Sequence, residues 1–290
     1  MTDREPRSLR VAPSRREAED WTLVLAAAGI SSKIEKTQSG WALVVEWRDE
    51  ERATREITAF QEENRAVSES IAPGLEYGRS YAGFTIAACF LGFYFITGPR
   101  NPAITWFRLG SASAEAILAG EIWRAATALT LHADPPHVLG NAASCAVFVT
   151  ALCRQLGPGL GSSMVLLAGA IGNVMNAFAH GGHHTSIGAS TAVFGAIGIM
   201  AGLQFTTRWR RVSRRPRPWV PLAAGLALLA MLGTGANADV AAHLFGFVAG
   251  APLGATAAVA LRRPPRQAVQ WPLALTAATI VVGSWLMALR

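Results

Sequence analysis

Ser190 stands in the run IGASTAVFG, where a polar stretch gives way to an apolar one, and a serine so placed is a candidate nucleophile. Gly188 gives the backbone freedom for a tight approach, and Ala189 keeps the neighbourhood small. Small residues in an apolar helix also serve close packing, and Gly195 and Gly198 further along are read that way. The matching candidate base is His243, in NADVAAHLFGFVAG. Gly246 and Gly250 after it form a G-x-x-x-G face that admits a neighbouring helix. An ionisable side chain inside an apolar run is costly, which favours a functional reading of His243. A serine and an imidazole at one depth on two helices, with glycines between, have the geometry of nucleophile and general base.

A third group is His132-A-D-P-P-His137-V-L-G-Asn141. His137 and Asn141 are four residues apart, so on a helix they face one direction, and two converging donors suit an oxyanion. The rival is metal or haem ligation, with His180, His183 and His184 in a turn as further donors or as polar surface. The chain has no H-E-x-x-H and no cysteine cluster, so neither a metal nor another cofactor is expected. Asp239, four residues before His243, invites a Ser-His-Asp triad but is better read as the cap of a helix.

The elements that must hold these groups follow from the distribution of charge. Residues 1–70 hold 14 acidic and 11 basic side chains, whereas residues 71–290 hold 15 arginines and only 5 acids. The formal charge of +7 therefore averages two unlike parts. The arginines of the second part sit in short clusters between long apolar runs, which argues against nucleic acid as a partner and for a lipid bilayer. Seven spans can be drawn, at 80–98, 136–155, 160–180, 189–206, 218–235, 240–260 and 271–289. Six arginines lie in TTRWRRVSRRPRP between the fourth and fifth, three in RRPPR between the sixth and seventh, and Arg154 between the second and third. By the positive-inside rule these loops and the N-terminus are cytoplasmic. Segment 99–135, the His-rich turn 181–188 and the C-terminus then face outward.

The expected organisation is a small soluble α/β domain (1–70), a linker (71–79), a helical membrane core (80–260), and a loop with one additional transmembrane helix (261–290). In the first domain, Glu17–Gly29 suits a helix, 31–36 and 41–47 suit strands turned at Ser39-Gly40, and Asp49 caps a helix running to about Arg65. Trp21, Trp41 and Trp47 are expected to form its core, and nothing in it names a partner. Cys89, Cys145 and Cys153 lie within apolar runs, so no disulfide framework is indicated. The polar, Arg-rich first 20 residues suggest no cleavable signal peptide. A transporter would account for seven spans, but paired half-repeats are not evident.

Taken together, the motifs resemble those of the rhomboid intramembrane serine proteases. The matching pieces are Trp123-Arg124, H-x-x-x-x-H-x-x-x-N at 132–141, G-x-S at 188–190 and A-H-x-x-G-x-x-x-G at 242–250, in family order. The resemblance covers about 80–260 and implies an all-α six-helix core, with the seventh span as an extra C-terminal helix. It implies hydrolysis of transmembrane substrates near their outward ends; the Arg-marked loops and the lack of a signal peptide suit a bacterial inner membrane. Ser190 would be the nucleophile and His243 the base, with His137, Asn141 and the Ser190 N–H as the oxyanion site. Phe194 would stack on the catalytic imidazole, and Trp123 and Arg124 would brace an outward loop lying partly in lipid. His132, Gly188, Gly246 and Gly250 would support the site. Thr191 departs from the glycine common after the serine, and a branched residue there would narrow the oxyanion site. The alternative is a catalytically impaired relative that binds transmembrane helices.

Overall fold

A computed structural model describes residues 6–70, 75–210, 217–232 and 239–290. The chain divides into two units, Met1–Ala72 and Pro73–Arg290.

The first unit contains β1 (Pro6–Ala12), α1 (Arg15–Ala27), β2 (Ser32–Thr37), β3 (Gly40–Glu46) and α2 (Glu50–Ser70). Ser14 caps α1 by accepting from Glu17 N at 3.2 Å, and Gly40, at φ +144°, opens β3 after the turn. The sheet is antiparallel in the order β1-β3-β2, and Trp21, Leu25, Leu43, Val45 and Ile57 form a core against it. Two features differ from the sequence reading. An extra strand, β1, lies in the Arg-rich N-terminus, held by its backbone pairing with β3 rather than by a run of apolar side chains. Trp47 is 50% exposed, because β3 ends at Glu46 and a 3-10 turn at Trp47–Asp49 breaks the alternation that would carry it inward. Trp21 is buried and Trp41 packs against the same core. The helix α2 also runs past Arg65 to Ser70.

The second unit is helical. It contains α3 (Ala82–Thr97), then α4 (Thr105–Gly110), β4 (Ala112–Ser113), α5 (Ala114–Leu118) and α6 (Arg124–Thr127) in the segment after it. There follow α7 (Pro135–Ser144), joined through a π-helical stretch (Cys145–Val149) to α8 (Thr150–Leu156), and α9 (Pro158–His180). The remainder is β5 (Thr185–Ser186), α10 (Ser190–Trp209), α11 (Val220–Leu232), α12 (Val240–Ala260) and α13 (Gln267–Ala288). Among the described residues, five helices are long and apolar enough to cross a membrane: the continuous Pro135–Leu156, α9, α10, α12 and α13. The span at 80–98 is shorter than expected, at 16 helical residues, and α11 covers 13 described residues of the span at 218–235. Gly98, in the left-handed region at φ +67°, stops α3, and residues 233–238 lie outside the described residues. All six histidines lie where α7 and α12 begin, where α9 ends, or in the loops beside them.

The closest packing is between α10 and α12, at the centre of the unit. A Cβ at Gly246 would overlap Thr191 O, one at Gly250 would overlap Gly195 O, and one at Gly254 would overlap Ile199 O. From the other side, Gly198 and Gly202 abut the carbonyls of Phe247 and Ala251. These rungs repeat every four residues at a constant offset, so the helices run parallel with their backbones in van der Waals contact. The same face of α10 meets α9, where Gly195 and Gly169 rest on Ala168 and Ala192.

The last helix is fastened at both ends. The buried Gln270 side chain accepts from Gly159 N and Leu160 N at 2.8 and 2.9 Å and donates to Leu156 O at 3.0 Å, serving the orphan backbone groups between α8 and α9. At the other end Trp285 donates to Thr130 Oγ1 at 3.1 Å and lies flush against Gly110. Trp106, Phe93 and Trp285 form an aromatic cluster there.

Gly254→Ala drives a methyl into the Ile199 carbonyl, and overpacking of that kind costs about 1–3 kcal/mol. Gly92 has open space where a Cβ would stand, so Gly92→Ala retains or slightly raises stability. Thermal midpoints of the two variants in detergent check the contrast.

Candidate active site

Ser190 is the first residue of α10, one position after the Ala189 cap. At a helix N-terminus the early N–H groups have no partner within the helix and carry the positive end of its dipole. Gly188, two residues earlier, has φ +119°, in the region where side chains are strained. Its N–H donates to Ala128 O at 2.9 Å, which anchors the turn into the serine.

His243 lies in the first turn of α12, capped by Asp239 through a 3.0 Å bond from Ala242 N. The glycine seam brings this turn beside the start of α10, and His243 Nε2 lies 2.8 Å from Ser190 Oγ. Phe194, one turn below the serine, packs on the His243 ring with centroids 4.8 Å apart and planes at 32°. The imidazole is buried, as is Phe194.

The third group comes from α7. Asp134 caps this helix by accepting from His137 N at 2.7 Å, and Pro135 and Pro136 fill its first positions. His137 Nδ1 accepts from Ala133 N at 3.3 Å, so the neutral ring carries its proton on Nε2. That Nε2 is aimed at Gly188: a Cβ there would lie 2.7 Å from it and 3.6 Å from Asn141 Nδ2. Two donors from one helix face thus meet the turn two residues before Ser190.

His132 is 1% exposed, between Phe90 and His137 with ring centroids 5.3 Å from each. Burial, reinforced by the neighbouring His137 and opposed by a backbone bond at Thr130, lowers its pKa to about 4. It is neutral at physiological pH and fills space behind the His137 ring. Arg124 is buried too, and its guanidinium donates to Glu121 at 2.6 Å and to Arg108 O and Ser111 O at 3.0 and 3.2 Å. It ties together the backbone of the long segment before α7, while Trp123 packs in the aromatic cluster around Trp285.

Thr191 is buried, and its Cγ2 points into the seam between α9 and α12, where a Cβ on Gly172 would come within 2.7 Å of it. Its methyl takes up the space that Gly172 and Gly246 leave open. That methyl is packing material between the helices.

Several polar residues escaped the sequence reading. Asn173 and Asn176 are buried on α9, where Asn173 donates to Ala125 O at 2.9 Å. The turn 181–188 is more than polar surface: His184 Nε2 lies 2.7 Å from Asp239 Oδ2, and Asn176 Nδ2 donates to the same oxygen at 2.8 Å. Burial alone would raise the Asp239 pKa, but bonds from Ala242, His184, Asn176 and Ser186 outweigh it and hold the carboxyl below its ordinary value. The signal available in sequence was an asparagine pair inside an apolar helix, which needs partners there. Among the described residues, no group of three His, Cys, Asp or Glu side chains is disposed to hold a metal ion.

Residues 119–259 match the Rhomboid domain family. The chain is 28% identical over 162 residues to the rhomboid-type protein YdcA of Bacillus subtilis, covering 54% of this chain and 77% of that one. It is 28% identical over 202 residues to Rhomboid-like protease 3 of Toxoplasma gondii, covering 65% of this chain and 73% of the relative. RHOMBOID-like protein 5 of Arabidopsis thaliana is 27% identical over 160 residues, 55% of this chain and 51% of its own length.

Gly188→Ala pushes a methyl onto His137 and strains the turn, so acylation of Ser190 by a fluorophosphonate slows by about 10²-fold. Thr191→Ala, acting only on the seam, leaves that rate within about threefold and lowers stability by about 1 kcal/mol. Labelling time courses and thermal midpoints of both variants separate the two effects.

Proposed function

We propose that this chain, a member of the rhomboid family, is an intramembrane serine endopeptidase with Ser190 as nucleophile and His243 as general base. The observation that carries the reading is the 2.8 Å contact between Ser190 Oγ and His243 Nε2, made by helices far apart in the sequence. It is the reach over which one side chain takes a proton from the other.

In the proposed reaction, His243 removes the Ser190 proton as Oγ attacks a backbone carbonyl of a substrate's transmembrane segment. The oxygen that becomes negative is met by His137 Nε2–H, Asn141 Nδ2 and the Ser190 N–H at the start of α10, with the helix dipole favouring negative charge there. The imidazolium lies against the Phe194 ring, an arrangement that stabilises a cation. It then gives its proton to the leaving amine, and water, activated by the same imidazole, releases the acyl group. A helical substrate shields its carbonyls, so substrates that unwind at small or helix-breaking residues are favoured.

The arginine-rich loops support a cytoplasmic N-terminus and a site at the outward end of the helices, in a bacterial inner membrane. By this reading the substrates are membrane proteins cut near their outer ends.

A fluorophosphonate labels the detergent-purified protein, and labelling is lost in Ser190→Ala and His243→Ala while thermal midpoints stay close to wild type. His137→Ala and Asn141→Ala lower kcat for a model transmembrane substrate by about 10²–10³-fold each. Well-folded wild type that neither labels nor cleaves would move the weight to a helix-binding relative without catalysis.

A further inference from the structure

Asp239 is the most heavily engaged carboxylate around the site, and a helix cap uses only part of it. Its Oδ1 takes the Ala242 N–H at 3.0 Å, which fixes the first turn of α12. Its Oδ2 takes Asn176 Nδ2 at 2.8 Å, from the end of α9, and His184 Nε2 at 2.7 Å, from the turn that follows. A carboxylate has no proton to give, so the proton in the His184 contact is on Nε2. The His184 ring is seated from behind by His180, stacked at 4.0 Å, and His180 Nδ1 lies 3.1 Å from Asn176 O. His183 and Glu115, 3.8 Å apart, form the exposed rim.

The two ends of this junction lead to the two reacting side chains. From Asp239 it is one helical turn to His243. From His184 it is six residues to Ser190, and the three before the serine are held: Ile187 packs with the aromatic cluster, Gly188 N bonds Ala128 O, and Ala189 is buried. Ser186 pairs with Ala112 in the β4–β5 ladder. We propose that Asp239 is a positioning residue for the Ser190–His243 pair, its carboxylate locking the entry of the His243 helix to the turn that delivers Ser190. The seam between α10 and α12 sets how close the helices run, and this junction fixes their ends, where the contact is made.

The consequence for rate rests on the protease reading; the junction itself does not. The test uses the full chain with a model transmembrane substrate, comparing His184→Leu, which removes the donor, with His184→Gln, whose amide reaches about as far. His184 lies partly open to solvent, so neither change removes core packing. His184→Leu lowers kcat by about tenfold with KM within about twofold, and His184→Gln restores most of it. Asp239→Ala, which loses the cap as well, falls further than His184→Leu. Hydrogen exchange adds a readout free of activity: in His184→Leu, amides of 184–190 and 240–244 lose protection together.

Wild-type kcat in His184→Leu, an equal loss in His184→Gln, or loss of protection in one segment alone would each overturn the proposal. A wild type that neither labels nor cleaves counts against the protease reading; exchange then judges the junction alone, linked protection upholding it and unlinked protection refuting it.

Discussion

The approach of α10 to α12 is the constraint on which the rest of the structure depends. Lipid supplies no hydrophobic drive for two apolar helices to associate, so the attraction must come from dense contact of matched surfaces. Glycines at 198, 202, 246, 250 and 254 provide it by leaving out every Cβ that would stand between the backbones. The constant four-residue repeat fixes the sliding register as well as the distance. A shift of one residue along either helix would put side chains where only hydrogens fit. The 2.8 Å Ser190–His243 contact is therefore a consequence of packing along the whole seam.

Around that seam several buried polar side chains hold loops and helix ends together, where a low-dielectric interior makes each hydrogen bond count. Gln270 serves the backbone between α8 and α9, Arg124 gathers the carbonyls of Arg108 and Ser111, and Asp239 gathers donors from three segments. Each of these side chains replaces the water that a loop or helix end would otherwise need. They also convert loops into fixed geometry, which suits a site whose parts come from α7, α10 and α12.

The long apolar spans and the charge asymmetry were legible because composition and helical length act locally and additively. Ser190, His243, His137 and Asn141 stood out as residue types at spacings, with the family resemblance supplying the roles proposed for them. The reading failed where local pattern and tertiary role part company. β1 is made a strand by a partner strand, and Trp47 is turned outward by the end of β3. The place of the Thr191 methyl, in the gap between Gly172 and Gly246, is likewise set by helices distant in sequence.

By itself the sequence determined where the long apolar helices lie, that they suit lipid, and which side chains at their ends have chemistry to offer, since each depends on neighbours within a turn or two. Only the tertiary structure decided that His137 and Asn141 meet at Gly188, that Gln270 and Trp285 fasten the last helix, and that Asp239 joins His184 and Asn176. Those contacts span gaps of tens to more than a hundred residues. Their existence depends on how whole helices are rotated and slid against one another, and no short-range periodicity encodes that.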